Sequence, residues 1–190
     1  MTELPMRPMN GVPLELETTR LLLRELREAD FPFLLQHYSD KAISKFTLLH
    51  FTTIEEVREH FQLYCDPGQK SRVKLGIELK EGRQLIGTVC FLDWCTTHNV
   101  AELGYDLKPA FWGHGYMTET LVEFLKYGFD EMRLNRVEAT THVSNIPSQK
   151  LLRRVGFLQE GKLRQKYYNG QEYQDELIFS LLREEWINSA

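Results

Sequence analysis

The spacing of apolar residues changes character several times along the chain, and each change marks an element. Arg20 to Leu26 reads as a strand, and Glu28 to Ser39 and Thr53 to Cys65 read as helices. Thr53 with Glu56 three residues later forms a capping box, which places the second helix start. Asp66-Pro67-Gly68 turns the chain into a β region, where Arg72 to Lys80, Gln84 to Trp94 and Val100 to Leu107 read as an antiparallel meander with a tight turn at Glu81-Gly82. Apolar residues at 117, 121, 124, 125 and 132 repeat at three-and-four spacing, which predicts a helix with one face on the sheet. Arg136 to Val143 is a further strand, Pro147 to Val155 a helix, and Phe157 to Gln159 and Glu176 to Leu182 closing strands. Residues 1 to 13 contain three prolines and read as a loose tail, leaving 14 to 190 as a single domain.

Composition narrows the function classes without choosing among them. A chain of 190 residues with 42% hydrophobic content suits one globular core. A net charge of -4 argues against non-specific nucleic-acid binding. No run approaches the ~18 apolar residues of a membrane span, and the N-terminus lacks the apolar stretch of an export signal, so a cytoplasmic location is expected. Cys65, Cys90 and Cys95 lack metal-site spacing and read as reduced, buried thiols; no metal is expected.

Candidate chemistry concentrates in Gly113-His114-Gly115-Tyr116-Met117-Thr118, which joins a strand to a helix. Two glycines allow a tight turn and close ligand approach, and the first amides of a helix have no partner within it, so the loop reads as an anion site. A P-loop is excluded, because no Lys-Ser or Lys-Thr follows Gly115. The dinucleotide fingerprint lacks its third glycine, since Thr118 stands there, and the alternating strand before the loop is not the apolar run of a buried parallel strand. Taken alone, a surface turn with two glycines remains open.

Further motifs resolve that choice. Asn145-Ile-Pro-Ser148 precedes a helix ending in Gly156-Phe157, Gly104-Tyr105-Asp-Leu107 ends the strand before Trp112-Gly-His-Gly-Tyr116, and Leu16-Glu-Thr-Thr-Arg20-Leu-Leu-Leu-Arg24 opens the domain, with Asp30 at the next helix start. In this order they resemble the GCN5-related N-acetyltransferase (GNAT) superfamily, and within it the ribosomal-protein-alanine N-acetyltransferases, over roughly residues 14 to 185. The resemblance implies an α/β fold: a mixed, mostly antiparallel central sheet flanked by helices, with two parallel central strands that splay apart around acetyl-CoA. It also implies that the backbone of the strand ending at Leu107 pairs with pantetheine. The amides of Gly113, His114, Gly115, Tyr116, Met117 and Thr118 would hold pyrophosphate, and Asn145 the pantetheine end, alongside its other reading as an Asx turn. Two positions depart from the superfamily pattern. Met117 replaces a small residue and could narrow the loop, and Leu152 stands seven residues past Asn145, where many members carry a thiolate-protonating tyrosine.

The implied reaction is attack of a neutral amine on the thioester carbonyl, which needs a base for the amine and a donor for the departing sulfur. Glu102 is the first choice of base, with Glu138 and His142 in reserve. Ser148 is the candidate acid and a second contact to the cofactor, unless its hydroxyl serves only the backbone; Tyr167, Tyr168 and Tyr173 are the other candidates. A backbone amide of the Leu103 to Leu107 strand would stabilise the oxyanion. Lys150, Arg153, Arg154, Lys162, Arg164 and Lys166 read as a solvated basic face, or as contacts to the cofactor 3'-phosphate and an acidic partner surface. The acceptor expected from the branch is a protein N-terminal amine. Small amines, a non-catalytic CoA-binding sensor and, further off, a nucleotide-dependent oxidoreductase are the alternatives. A homodimer through the closing strands stands open beside internal cover of that edge.

Overall fold

A computed structural model describes residues 14–47, 49–65 and 73–189. Among these residues eight strands form one sheet: β1 (Glu15–Glu17), β2 (Leu21–Glu25), β3 (Val73–Leu79), β4 (Leu85–Cys95), β5 (Val100–Leu107), β6 (Arg136–His142), β7 (Leu158–Tyr168) and β8 (Tyr173–Leu182). Their order is β1-β2-β3-β4-β5-β6-β8-β7. Every neighbouring pair is antiparallel except β5 and β6. That parallel ladder holds only Val100↔Arg136, Ala101↔Val137 and Glu102↔Glu138, although both strands continue. Past Glu102, β5 stays with β4 as far as Gly87↔Leu107, and β6 stays with β8 as far as His142↔Glu176. The two central strands are drawn to opposite neighbours, and a wedge opens between them.

Among the described residues six α-helices flank the sheet: α1 (Phe31–Ser39), α2 (Lys41–Ser44), α3 (Ile54–Cys65), α4 (Tyr116–Asp130), α5 (Ile146–Arg154) and α6 (Arg183–Ser189). The predicted stripe is buried: Met117, Leu121, Phe124 and Leu125 of α4 and Met132 just past its end join Leu75, Val89, Leu103 and Val137 in the main core, as does Phe129, which the stripe did not include. Phe124 stacks on Phe91 with ring centroids 4.3 Å apart, and a Cβ on Gly128 would come within 2.7 Å of that Phe91 ring, so α4 can lie this close only with glycine there. Helices α1 to α3 share a smaller core of Phe31, Leu34, Tyr38, Ile43, Phe51, Val57 and Phe61. The capping box on α3 forms: the Glu56 N–H donates to Thr53 Oγ1 at 3.2 Å, and the Thr53 N–H donates to Glu56 Oε2 at 3.3 Å.

Three elements escape the hydrophobic pattern, β1, α2 and α6, and the closing hairpin is longer than predicted. β7 extends to Tyr168, so Tyr167, Tyr168 and Tyr173 lie in strands and not in a loop. Most of its residues are exposed because it is the edge strand, and an edge exposed on both faces shows no alternation to read. The tail at 1 to 13 and the Asp66-Pro67-Gly68 turn lie outside the described residues.

One buried polar knot ties α1 to the sheet. Asp106 accepts from the Tyr38 hydroxyl at 2.8 Å, the Thr88 N–H at 3.0 Å and the Thr88 hydroxyl at 2.8 Å, and lies 2.7 Å from His37 Nε2. Burial alone would raise its carboxyl pKa, but His37, Lys74 and Thr88 outweigh it and hold the group below the usual carboxylate range. Asp106→Asn is expected to cost about 2 kcal/mol at neutral pH, since an amide group then faces donors it cannot satisfy. The folded-state pKa is depressed, so this stabilisation is fully present above the unfolded value and fades as pH falls through the folded one. Urea unfolding of both proteins between pH 7 and pH 3 should show their difference shrinking in acid.

Candidate active site

Gly115 caps α4 with φ 79°, and no side chain caps the helix there. The Glu119 N–H is the donor to the Gly115 carbonyl at 3.0 Å, so the amides before it have no acceptor within the helix and point out of its end. Arg20, immediately before β2, fixes this end from outside. Its Nε donates to Glu119 Oε2 at 2.7 Å, its backbone N–H to Glu119 Oε1 at 2.8 Å and its Nη1 to the His114 carbonyl at 3.1 Å, while its guanidinium lies 4.3 Å from the Tyr116 ring centroid. Thr18 completes the clamp through its hydroxyl, which donates to Glu119 Oε1. Sequence reasoning placed Arg20 in a motif but not at this site; the partners are about a hundred residues apart and nothing local signals them.

Two side chains shape the surroundings of the loop. Met117 turns into the core, 8% exposed, so its bulk does not narrow the loop. Trp112 is 48% exposed, and its indole N–H donates to the Leu107 carbonyl at 2.5 Å, so the side chain pins the loop to the strand end and occupies a Leu107 acceptor. A cavity of about 560 Å³ adjoins the loop, lined by Thr18, Gly115, Thr118, Val122 and Arg154 among others. The basic cluster thus divides. Arg154 faces this cavity, Arg153 donates to Gln159 at 2.6 Å over the Phe179 ring, and Lys162 pairs with Asp175 at 2.7 Å.

Across the wedge, Asn145 caps α5 by accepting from the Ser148 N–H at 3.3 Å. The Asx-turn reading of Asn145 therefore holds. The Ser148 hydroxyl is 2.8 Å from the Tyr105 hydroxyl of β5, so its partner is a side chain on the other wall of the wedge. Leu152 is fully buried in the core.

The opposite sheet face carries the carboxylates. Glu102 is half-buried and accepts from the Thr140 hydroxyl at 3.0 Å. Glu138 shares that face, but Arg136 donates to it at 2.7 Å and also binds Glu160. His142 is engaged on both nitrogens: Nδ1 accepts from the Ser144 N–H at 3.1 Å, and Nε2 meets Gln174 Oε1 at 2.6 Å, which makes Nε2 the protonated one. Both reserves for the base are thereby occupied. Glu176, which sequence reasoning missed, sits opposite His142; burial first and the Glu102 charge second push its carboxyl pKa up, against the pull of Lys166 and His142. Tyr167 pairs in register with Gln174 on this face, away from Ser148. Tyr168 and Tyr173 pack on each other at 5.0 Å near the hairpin tip.

The sequence pattern of the acetyltransferase (GNAT) domain matches residues 20–158, through both walls of the wedge. The chain belongs to the GNAT family. A Bacillus licheniformis GNAT relative, the uncharacterized N-acetyltransferase p20, is 35% identical over 175 residues, covering 90% of this chain and 97% of its own. Bacillus subtilis YdaF, whose name proposes a ribosomal N-acetyltransferase, is 34% identical over 102 residues, 54% of this chain and 56% of that one. In fold, the spermidine N-acetyltransferase of Vibrio cholerae, solved with CoA and spermine, superposes with a TM-score of 0.81 at 22% identity, over 90% of this chain and all of that one.

As a GNAT enzyme the protein transfers acetyl from acetyl-CoA to an amine. Its residues fit that cosubstrate on their own terms. A helix end without a capping side chain offers free amides to a pyrophosphate, and the wedge leaves strand backbone unpaired. Among the described residues there is no group of three or more His, Cys, Asp and Glu able to hold a metal, and no helix long and apolar enough to cross a membrane.

Proposed function

We propose that the protein acetylates a protein N-terminal amine by direct attack on acetyl-CoA, with the amine approaching from the Glu102 face and the sulfur leaving on the Ser148 face. One observation carries the reading: the strands part immediately after Glu102, so the carboxylate stands at the fork of an opening whose other face holds the Ser148 hydroxyl. Backbone amides from Gly113 to Thr118 hold the pyrophosphate, Asn145 orders the turn beside pantetheine, and Arg154 meets the 3'-phosphate. The protonated amine gives its proton to Glu102, directly or through water, and Thr140 keeps that carboxylate aimed. The resemblance to ribosomal-protein acetyltransferases and the name of YdaF support the same acceptor. Reduced Cys90 and Cys95 suit a cytoplasmic setting.

A polyamine is the second reading, favoured by Glu102 and Glu176 sharing the acceptor face. Release of free thiol from acetyl-CoA, followed with N-terminal peptides, polyamines, aminoglycosides and amino acids in turn, separates the two. Turnover with polyamines and none with peptides would overturn the first. Glu102→Gln is expected to lower turnover mainly at the acid end of the profile, by about 10²-fold where most of the amine arrives protonated, with acetyl-CoA affinity nearly unchanged. A profile identical to that of the parent enzyme would remove Glu102 from the role.

A further inference from the structure

We propose that Tyr105 is a positioning residue for the leaving sulfur: its phenol donates to Ser148 Oγ and so aims the Ser148 proton into the wedge, a two-link chain in place of the tyrosine that Leu152 displaces. The inference rests on the acetyl-transfer reading above.

Three observations lead to it. Ser148 Oγ and Tyr105 OH are 2.8 Å apart, one on α5 and the other on β5, so the pair bridges the wedge where the β5–β6 ladder is missing. The Ser148 N–H is already taken by Asn145, which caps the helix with its own side chain, so the Ser148 hydroxyl is not needed as a cap. Leu152 lies fully buried and has no proton to offer. A serine hydroxyl carries one proton on a free rotor, and left alone it points in several directions. A phenol donating to the serine oxygen occupies one lone pair and leaves the serine proton for a third party. The more acidic hydroxyl is the better donor, which makes Tyr105 the donor of the pair.

Magnitudes decide how far the proton travels. Burial pushes the Tyr105 phenol up to about 12, the Ser148 hydrogen bond pulling the other way. An ordinary alkyl thiol lies near 8.5, so giving the phenol proton outright to the sulfur would run uphill by roughly a thousandfold or more. Tyr105 therefore keeps its proton and acts through its hydrogen bond. As the amine nitrogen forms the new C–N bond and the C–S bond breaks, the electron pair stays on sulfur and the Ser148 O–H stabilises it. The nitrogen loses its proton to the base, and the thiolate takes its own from solvent as it leaves.

The first arm of the test needs no acceptor. CoA bound to the parent enzyme is titrated by the ultraviolet absorbance of its thiolate, alongside Tyr105→Phe, Ser148→Ala and the double variant. Glu102, Glu176 and His142, on the other sheet face, and Arg154 beside the loop are common to all four proteins and cancel in the comparison. The bound thiol is expected to titrate below the free thiol in the parent, about one unit higher in Tyr105→Phe, and no higher in the double variant than in Ser148→Ala alone. In steady state Tyr105→Phe should lower kcat about 10-fold and leave the KM for acetyl-CoA within twofold, with a thermal melt confirming the fold. A bound thiol that titrates identically in Tyr105→Phe and the parent overturns the proposal, as do independent, multiplying losses in the double variant. CoA that fails to bind the parent removes the acetyl-transfer reading itself. A Tyr105-dependent thiol in an enzyme that acetylates none of the amines keeps Tyr105 in place and overturns the acceptor assignment instead.

Discussion

Gly115→Val is expected to weaken acetyl-CoA binding about 100-fold, while His114→Ala changes it less than twofold. Gly115 holds φ 79° at the start of α4, a conformation that costs a β-branched residue roughly 1–3 kcal/mol. Relief of that strain would rotate the amides of Tyr116, Met117 and Thr118 away from a common target, and an anion held by backbone donors loses them together. The space near Gly115 is not the obstacle, since a Cβ there would meet only Arg20 Nη2 at 3.6 Å. His114 differs because its carbonyl is tied into the loop through Arg20, while its exposed ring makes a stacking contact with Tyr116 at 5.9 Å that holds no backbone amide in place. Calorimetric titration of CoA into both variants measures the contrast; equal affinity for Gly115→Val and the parent would remove the proposed cradle.

Ser148→Ala is expected to lower turnover roughly 10²-fold, within the range for a positioned donor, with acetyl-CoA affinity close to the parent value. The α5 cap is made by the Asn145 side chain accepting from the Ser148 backbone N–H, which alanine retains. Folding and the helix start should survive, so a fall in kcat alone identifies the hydroxyl as the active group. Loss of cofactor binding would instead make the Asn145–Ser148 turn a cofactor contact only. Retained turnover would move the donor away from the wedge altogether.

The elements that were legible in the sequence are those whose burial is one-sided. α4 shows its stripe because one face meets the sheet and the other meets water, and the α3 start shows because Thr53 and Glu56 bond each other within one turn. β7 was mostly illegible because it is an edge, exposed on both faces, and the hydrophobic pattern records burial rather than pairing. Glu176 was illegible for another reason: its significance lies in the register His142↔Glu176 and in the charge of Glu102, neither of which leaves a local trace. The Arg20–Glu119 clamp and the Tyr105–Ser148 pair are likewise long-range. The loop and Asn-x-x-Ser motifs located the site, and the fold supplied what surrounds it.

The wedge also makes the sheet a partition with a slot in it. On the proposed reading, amine and thioester occupy separate rooms and touch only where β5 and β6 have parted, so neither must leave or enter through the other's door. Binding in either sequence is open to such an enzyme, and acetylated product and CoA can depart independently. A large acceptor such as a protein surface needs only to present its terminus at the slot, which lets a fold of this size serve substrates it could never enclose.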